Sequence, residues 1–123
     1  MTSNQTKQGP SHRPAPAPIV SFEEFAALRE RLESEGRGMG RIVCTSGGFD
    51  PIHPGHTSSI HESRNYGDTV VVIVNGDDFL TRKKGRPFLD LKTRSHIISY
   101  ISGVDYVIPF EIENDHTVCR SEE

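Results

Sequence analysis

Ten residues constrain this chain more than any others: Gly47-Gly48-Phe49-Asp50-Pro51-Ile52-His53-Pro54-Gly55-His56. The stretch before them, 41–46, reads as a short buried strand. The stretch after them, 57–67, is helix-compatible and closes on Gly67. A strand, a turn containing glycine and a helix N-terminus make an anion site. Residues without Cβ let the backbone come close to a phosphate, and the free N–H groups of the first helical turn point at it. His53 and His56 stand three apart at the mouth of that helix, so both can serve one ligand near the positive end of the helix dipole.

The rest of the chain supplies a sheet for this turn. Residues 68–75 are a near-continuous β-branched run, the composition of a strand buried on both faces of a parallel sheet. It ends in Gly76-Asp77-Asp78-Phe79, at the carboxyl edge where such sheets bind ligands. Asp90 can cap a helix over 91–102 with Ile97, Ile98 and Ile101 on its apolar side, stopped by Gly103. A third strand follows over 104–109. Strand, helix, strand, helix, strand with connections of this length implies right-handed parallel crossovers, and so an α/β, Rossmann-like parallel sheet of about three strands.

Ahead of the sheet, Ser21-Phe22-Glu23-Glu24 is a capping box. Phe22, Phe25, Leu28 and Leu32 then recur at helical spacing, predicting an amphipathic helix over 22–35 that docks on the core and carries no chemistry. The domain division expected is a Pro-rich disordered tail at 1–20, that helix with a Gly-rich linker at 21–40, and the Rossmann-like domain at 41–123. Pro10, Pro14, Pro16 and Pro18 and a surplus of polar residues leave the tail almost nothing to bury.

Composition excludes more than it selects. With 14 basic and 17 acidic residues the chain is near neutrality, and no stretch approaches the roughly 20 apolar residues that a membrane span needs. The two cysteines cannot form a disulfide framework, and Cys44 in a core strand reads as a small buried thiol, which suggests the cytoplasm. Against the net charge of −3, Arg82, Lys83, Lys84 and Arg86 fall within five residues. They follow a strand end on the same edge as the histidines, where a triphosphate suits clustered positive charge. Nucleic acid suits it less, because the patch is short and lacks interleaved aromatic residues. No Ser elbow and no Cys–His pair is present, so electrostatic stabilisation of a phosphoryl-type transition state fits the inventory better than covalent catalysis. Zinc held by His53, His56 and His61 is a weaker reading, since the Pro-Gly between the first two favours an anion turn.

Residues 47–56 resemble the G-x-F-D-x-x-H-x-G-H signature of the cytidylyltransferase-like nucleotidyltransferases. The segments 74–79 and 83–87, Arg94, and 104–108 follow in an order similar to the glycerol-phosphate cytidylyltransferases and, more closely in the middle, the nucleotidyltransferase domain of ADP-heptose synthases. The resemblance implies transfer of a nucleotidyl group from ATP or CTP to a sugar or polyol phosphate, with Mg²⁺ accompanying the triphosphate. It implies His53, His56 and Lys83 in catalysis. Gly47, Gly48, Phe49, Asp50, Lys84 and Arg94 would join them in binding nucleotide, with Asp50 mainly shaping the loop and Asp77 positioning substrate. A solvated Arg94 on the outer face of its helix is the alternative for that residue.

The partners expected are a nucleoside triphosphate and a small phosphorylated acceptor, with no nucleic acid or membrane and a possible homodimer. Members of the family continue with further strands that 111–123 do not resemble. The chain is therefore expected to be incomplete at its C-terminus, with the strand at 41–46 left as a sheet edge. A binding module without turnover is the alternative function.

Overall fold

The computed structural model describes residues 15–76 and 89–111. Six elements follow in order: α1 (Phe22–Ser34), β1 (Ile42–Gly47), α2 (Pro54–Ser63), β2 (Thr69–Asn75), α3 (Leu91–Ser99) and β3 (Tyr106–Phe110). The three strands form one parallel sheet in the order β1-β2-β3, with Cys44 level with Val71 and Ile73 level with Ile108. This is the α/β, Rossmann-like architecture expected.

The side-chain alternation of β2 builds both layers. Val70, Val72 and Val74 face a cluster with Ile60 of α2, Ile98 of α3 and Val107 of β3. Val71 and Ile73 face the other way, into a cluster with Tyr106, Ile108 and Phe110 of β3 and the four apolar residues of α1. Every residue of β2 from Thr69 to Val74 is buried, whereas β1 is half-buried. That contrast is the signature of a central strand and an edge. Among the described strands β1 has only β2 beside it.

The capping box of α1 forms as its sequence requires: the Glu24 N–H donates to Ser21 Oγ at 3.0 Å, and the Ser21 N–H to Glu24 Oε1 at 2.8 Å. Phe22 meets Phe110 edge-on at 5.2 Å and Phe25 meets Tyr106 at 5.3 Å, which fixes the helix across the sheet face. Asp90 caps α3, accepting from the Thr93 N–H at 2.8 Å. That helix ends at Ser99, earlier than its apolar pattern suggests. The N–H groups of Tyr100 and Ile101 bond three residues back, to Ile97 and Ile98, and tighten the last turn.

Two expectations are corrected. The stretch 15–20 is not a free tail. Ala17 is buried, its N–H donates to the Ser99 carbonyl at 2.7 Å, and Ile19 forms a parallel bridge with Val107. The Val107 N–H donates to the Pro18 carbonyl at 3.0 Å and the Val20 N–H returns the bond to Val107 at 2.9 Å. Proline is tolerated here because Pro18 contributes only its carbonyl, the one ladder group a proline retains. Cys44 is the second correction: it is half-buried in an edge strand, where a buried core position was expected.

The strap at 17–20 closes the outer edge of β3. Val20→Pro removes the donor to the Val107 carbonyl, and the expected loss is about 1–3 kcal/mol, the cost of orphaning a buried acceptor. Urea unfolding checks it, and a midpoint equal to the wild type's would show that the strap contributes nothing.

Candidate active site

The carboxyl end of β1 delivers the chain into the turn between Gly47 and His53. Phe49 takes a left-handed backbone conformation, φ 53°, which costs a non-glycine residue about 1–3 kcal/mol. The conformation puts the Phe49 ring, 7% exposed, into the core cluster of α2 and α3. There it stands edge-on to the His56 imidazole at 5.1 Å. A Cβ on Gly47 would lie 3.2 Å from the tip of that ring, so this glycine makes room for Phe49 as well as exposing backbone.

His53 occupies the N-cap of α2, a place usually taken by Ser, Thr, Asp or Asn. Its Nδ1 accepts from the Gly55 N–H at 3.0 Å, and His56 Nδ1 accepts from the His53 N–H at 3.1 Å. The helix therefore starts at Pro54, with imidazoles doing the work of capping side chains. The two rings lie 4.0 Å apart, inclined by 30°. A Cβ on Gly55 would come within 2.9 Å of His53 Cε1, so the glycine admits the ring.

This arrangement sets the chemistry of the pair. A neutral imidazole whose Nδ1 accepts a hydrogen bond carries its proton on Nε2. Both histidines thus hold an Nε2–H donor at the positive end of a helix, the equipment for stabilising charge on a phosphate. Burial, with the charge of neighbouring His53 adding to it, holds the His56 pKa below the ordinary 6.5. Protonating His56 would also take away the lone pair that accepts from His53.

Asp50 and Arg94 complete the edge. Asp50 is 8% exposed, and its Oδ1 accepts from the Leu89 N–H at 3.3 Å. Arg94 is 1% exposed, so the solvated alternative for it is overturned. Its Nε donates to the Leu89 carbonyl at 2.9 Å, and its Nη1 to the carbonyls of Gly48 at 2.9 Å and Asn75 at 2.6 Å. Gly47, Gly48, Phe49, Asp50, His53, His56 and Arg94 are therefore brought together at one edge of the sheet. Asp77, Lys83 and Lys84 lie outside the described residues.

Sequence reasoning passed over Glu111, whose carboxylate packs against the Cα of Gly76 at the end of β2. Its one signal was its place directly after β3, on the same carboxyl edge. His61 lines a separate groove with Thr57, Ser58, Glu62, Ile101 and Ser102. Among the described residues no group of three or more His, Cys, Asp or Glu could hold a metal ion. No described helix is long and apolar enough to cross a membrane.

The His56 environment gives a pH prediction. Its pKa is lowered in the folded state, so the stabilising contribution is complete above the unfolded value near 6.5 and is lost as pH falls below it toward the folded value. His56→Gln keeps an acceptor at the third helical position without a titrating ring. Between pH 7.5 and pH 5 the wild type should lose more stability than H56Q in urea unfolding. Equal losses would remove His56 from the account.

The cytidylyltransferase-like family profile matches residues 44–116. The chain is 35% identical over 104 residues to the bifunctional protein HldE of Aliarcobacter butzleri, an alignment covering 83% of this chain and 21% of that protein. It is 42% identical over 95 residues to the HldE of Histophilus somni, covering 76% and 19%. It spans about a fifth of the length of these relatives. The crystal structure of the lipopolysaccharide core biosynthesis protein from Thermoplasma volcanium GSS1 superposes with a TM-score of 0.58 at 31% identity, covering 61% of this chain and 62% of the other. The turn and paired histidines described above, with the strand before them from Cys44 on, lie inside the matched segment, and the chain belongs to the cytidylyltransferase-like family.

Proposed function

We propose that this chain carries the triphosphate-binding and catalytic site of a nucleotidyltransferase that joins a nucleotidyl group to a sugar phosphate. An oxygen of the acceptor phosphate attacks the α-phosphorus of a nucleoside triphosphate. The bond from that phosphorus to the bridging oxygen breaks, and pyrophosphate leaves with the electron pair. The paired imidazoles carry this reading: both present Nε2–H donors because both Nδ1 atoms are occupied by helix N–H groups. Donors held in place before the reaction stabilise charge as it develops and need no reorganisation.

Lys83 and Lys84 would add positive charge at the triphosphate, and Asp77 would position the acceptor. Asp50 would shape the turn and Gly47, Gly48 and Phe49 would offer main-chain contacts. Mg²⁺ would accompany the triphosphate and neutralise part of its charge, with few protein ligands. The resemblance of the middle segment to ADP-heptose synthases favours ATP over CTP and a phosphorylated sugar over a polyol phosphate. A second reading, a nucleotide-binding module without turnover, has one observation behind it: β1 is paired on one side only among the described strands. A transfer assay with labelled ATP and CTP across a panel of sugar phosphates separates the two. Transfer from ATP is the expected result; tight triphosphate binding with no product from any donor would establish the module instead.

Two variants refine the assignment. His56→Ala should lower turnover by about 10²–10³, the range for losing one preorganised donor. Circular dichroism must show the fold retained, and a normal rate would end the catalytic role. Replacing Lys83 and Lys84 together by Ala should weaken ATP binding far more than adenosine binding, and wild-type affinity for ATP should fall as salt rises. Calorimetry with both ligands checks this; equal losses would argue against phosphate recognition.

A further inference from the structure

We infer that Arg94 and Asp50 clamp the main chain of Leu89, and that Arg94 serves the reaction as a positioning residue rather than as a phosphate ligand. The inference deepens the proposed function and rests on it.

The Leu89 peptide is held at both ends. Its N–H donates to Asp50 Oδ1 at 3.3 Å and its carbonyl accepts from Arg94 Nε at 2.9 Å. The same guanidinium reaches Gly48, in the turn after β1, and Asn75, the last residue of β2. Three separate passages of the chain across the carboxyl edge are therefore tied to one cation that is 1% exposed. A buried charge is tolerable only where dipoles replace its water, and here carbonyl oxygens do so. The planar fork of donors suits carbonyls that approach from different directions; a lysine, with a single compact ammonium, cannot span them.

The tie leads to the histidines by a short route. Gly48, held through its carbonyl, is followed directly by Phe49, whose left-handed conformation depends on the turn being kept in place. The Phe49 ring braces His56, and His56 accepts from His53. Losing the Gly48 contact would let the turn relax and carry both imidazoles off their positions. A displacement of about 1 Å at reacting groups can lower a rate by about 10².

The test uses Arg94→Lys, Arg94→Met, Asp50→Ala and Asp50→Asn in the full chain, with three readouts. Those are kcat and KM with ATP, calorimetric affinity for inorganic tripolyphosphate and pyrophosphate, and amide hydrogen exchange at Leu89 and His53. Positioning predicts that R94K and R94M both lose about 10² in kcat with KM little changed. Affinity for tripolyphosphate and pyrophosphate should fall far less than kcat in both, and no further in R94M than in R94K. Exchange at the His53 N–H should speed up in R94K, and exchange at the Leu89 N–H should speed up in D50A and return toward wild type in D50N. The inference is overturned if R94K keeps wild-type kcat while R94M loses tripolyphosphate affinity, which would mark a phosphate ligand. It is equally overturned if the Arg94 variants only lower the melting temperature, with kcat per folded molecule unchanged. Should the Arg94 variants not fold, the Asp50 pair still decides the clamp. Should wild type turn over no triphosphate, the proposed function fails, and the exchange data judge the clamp separately.

Discussion

The burial of β2 is the constraint on which the other elements depend. A strand with both faces in the core and hydrogen-bonding groups on both sides cannot exist without four neighbours, two strands and two layers. β1 and β3 supply the ladders, α1 covers one face, and α2 with α3 cover the other. Because all three strands run in the same direction, their carboxyl ends emerge on one side. The turn after β1, the exit from β2 and the start of α3 are thereby forced into proximity. The site is a by-product of parallel pairing, refined by a few polar contacts.

Those contacts follow one pattern, in which side chains bind the backbone. His53 and His56 use Nδ1 to satisfy helix N–H groups that would otherwise lack partners. Asp50 and Arg94 satisfy the two ends of the Leu89 peptide. In each case the same bond that stabilises the fold also orients the functional group. Removing either histidine would uncap α2 as well as alter the site, so fold and chemistry are coupled through these four residues.

Much of this was legible in the sequence because the signals were local. The β-branched run at 68–75, the Ser21 and Glu24 pair and the Asp90 cap each act within a few residues, and each behaved as its chemistry dictates. The histidine pair was legible for the same reason. What escaped depended on partners far along the chain. Arg94 sits among polar neighbours on its own helix, and only the folded sheet brings Gly48 and Asn75 to it. Residues 17–20 look like a polar, proline-rich tail until β3 presents an edge that needs a carbonyl and a donor. The start of α2 was read three residues late because histidine is not an expected cap.

The strap has a consequence for how the molecule opens. Its bridge joins Ile19 to Val107, close to the two ends of the described chain, so forming it closes a longer loop than any strand pairing within the sheet. Loop closure costs entropy that rises with length, and few contacts repay it here. The strap is therefore placed to unzip as a unit well below the global unfolding free energy, exposing the edge of β3 while β1, β2 and the histidine turn stay closed. Under native conditions the Val20 amide would then exchange with solvent long before the interior amides of β2. A protease acting on the intact fold would find its first foothold at the sheet edge farthest from β1.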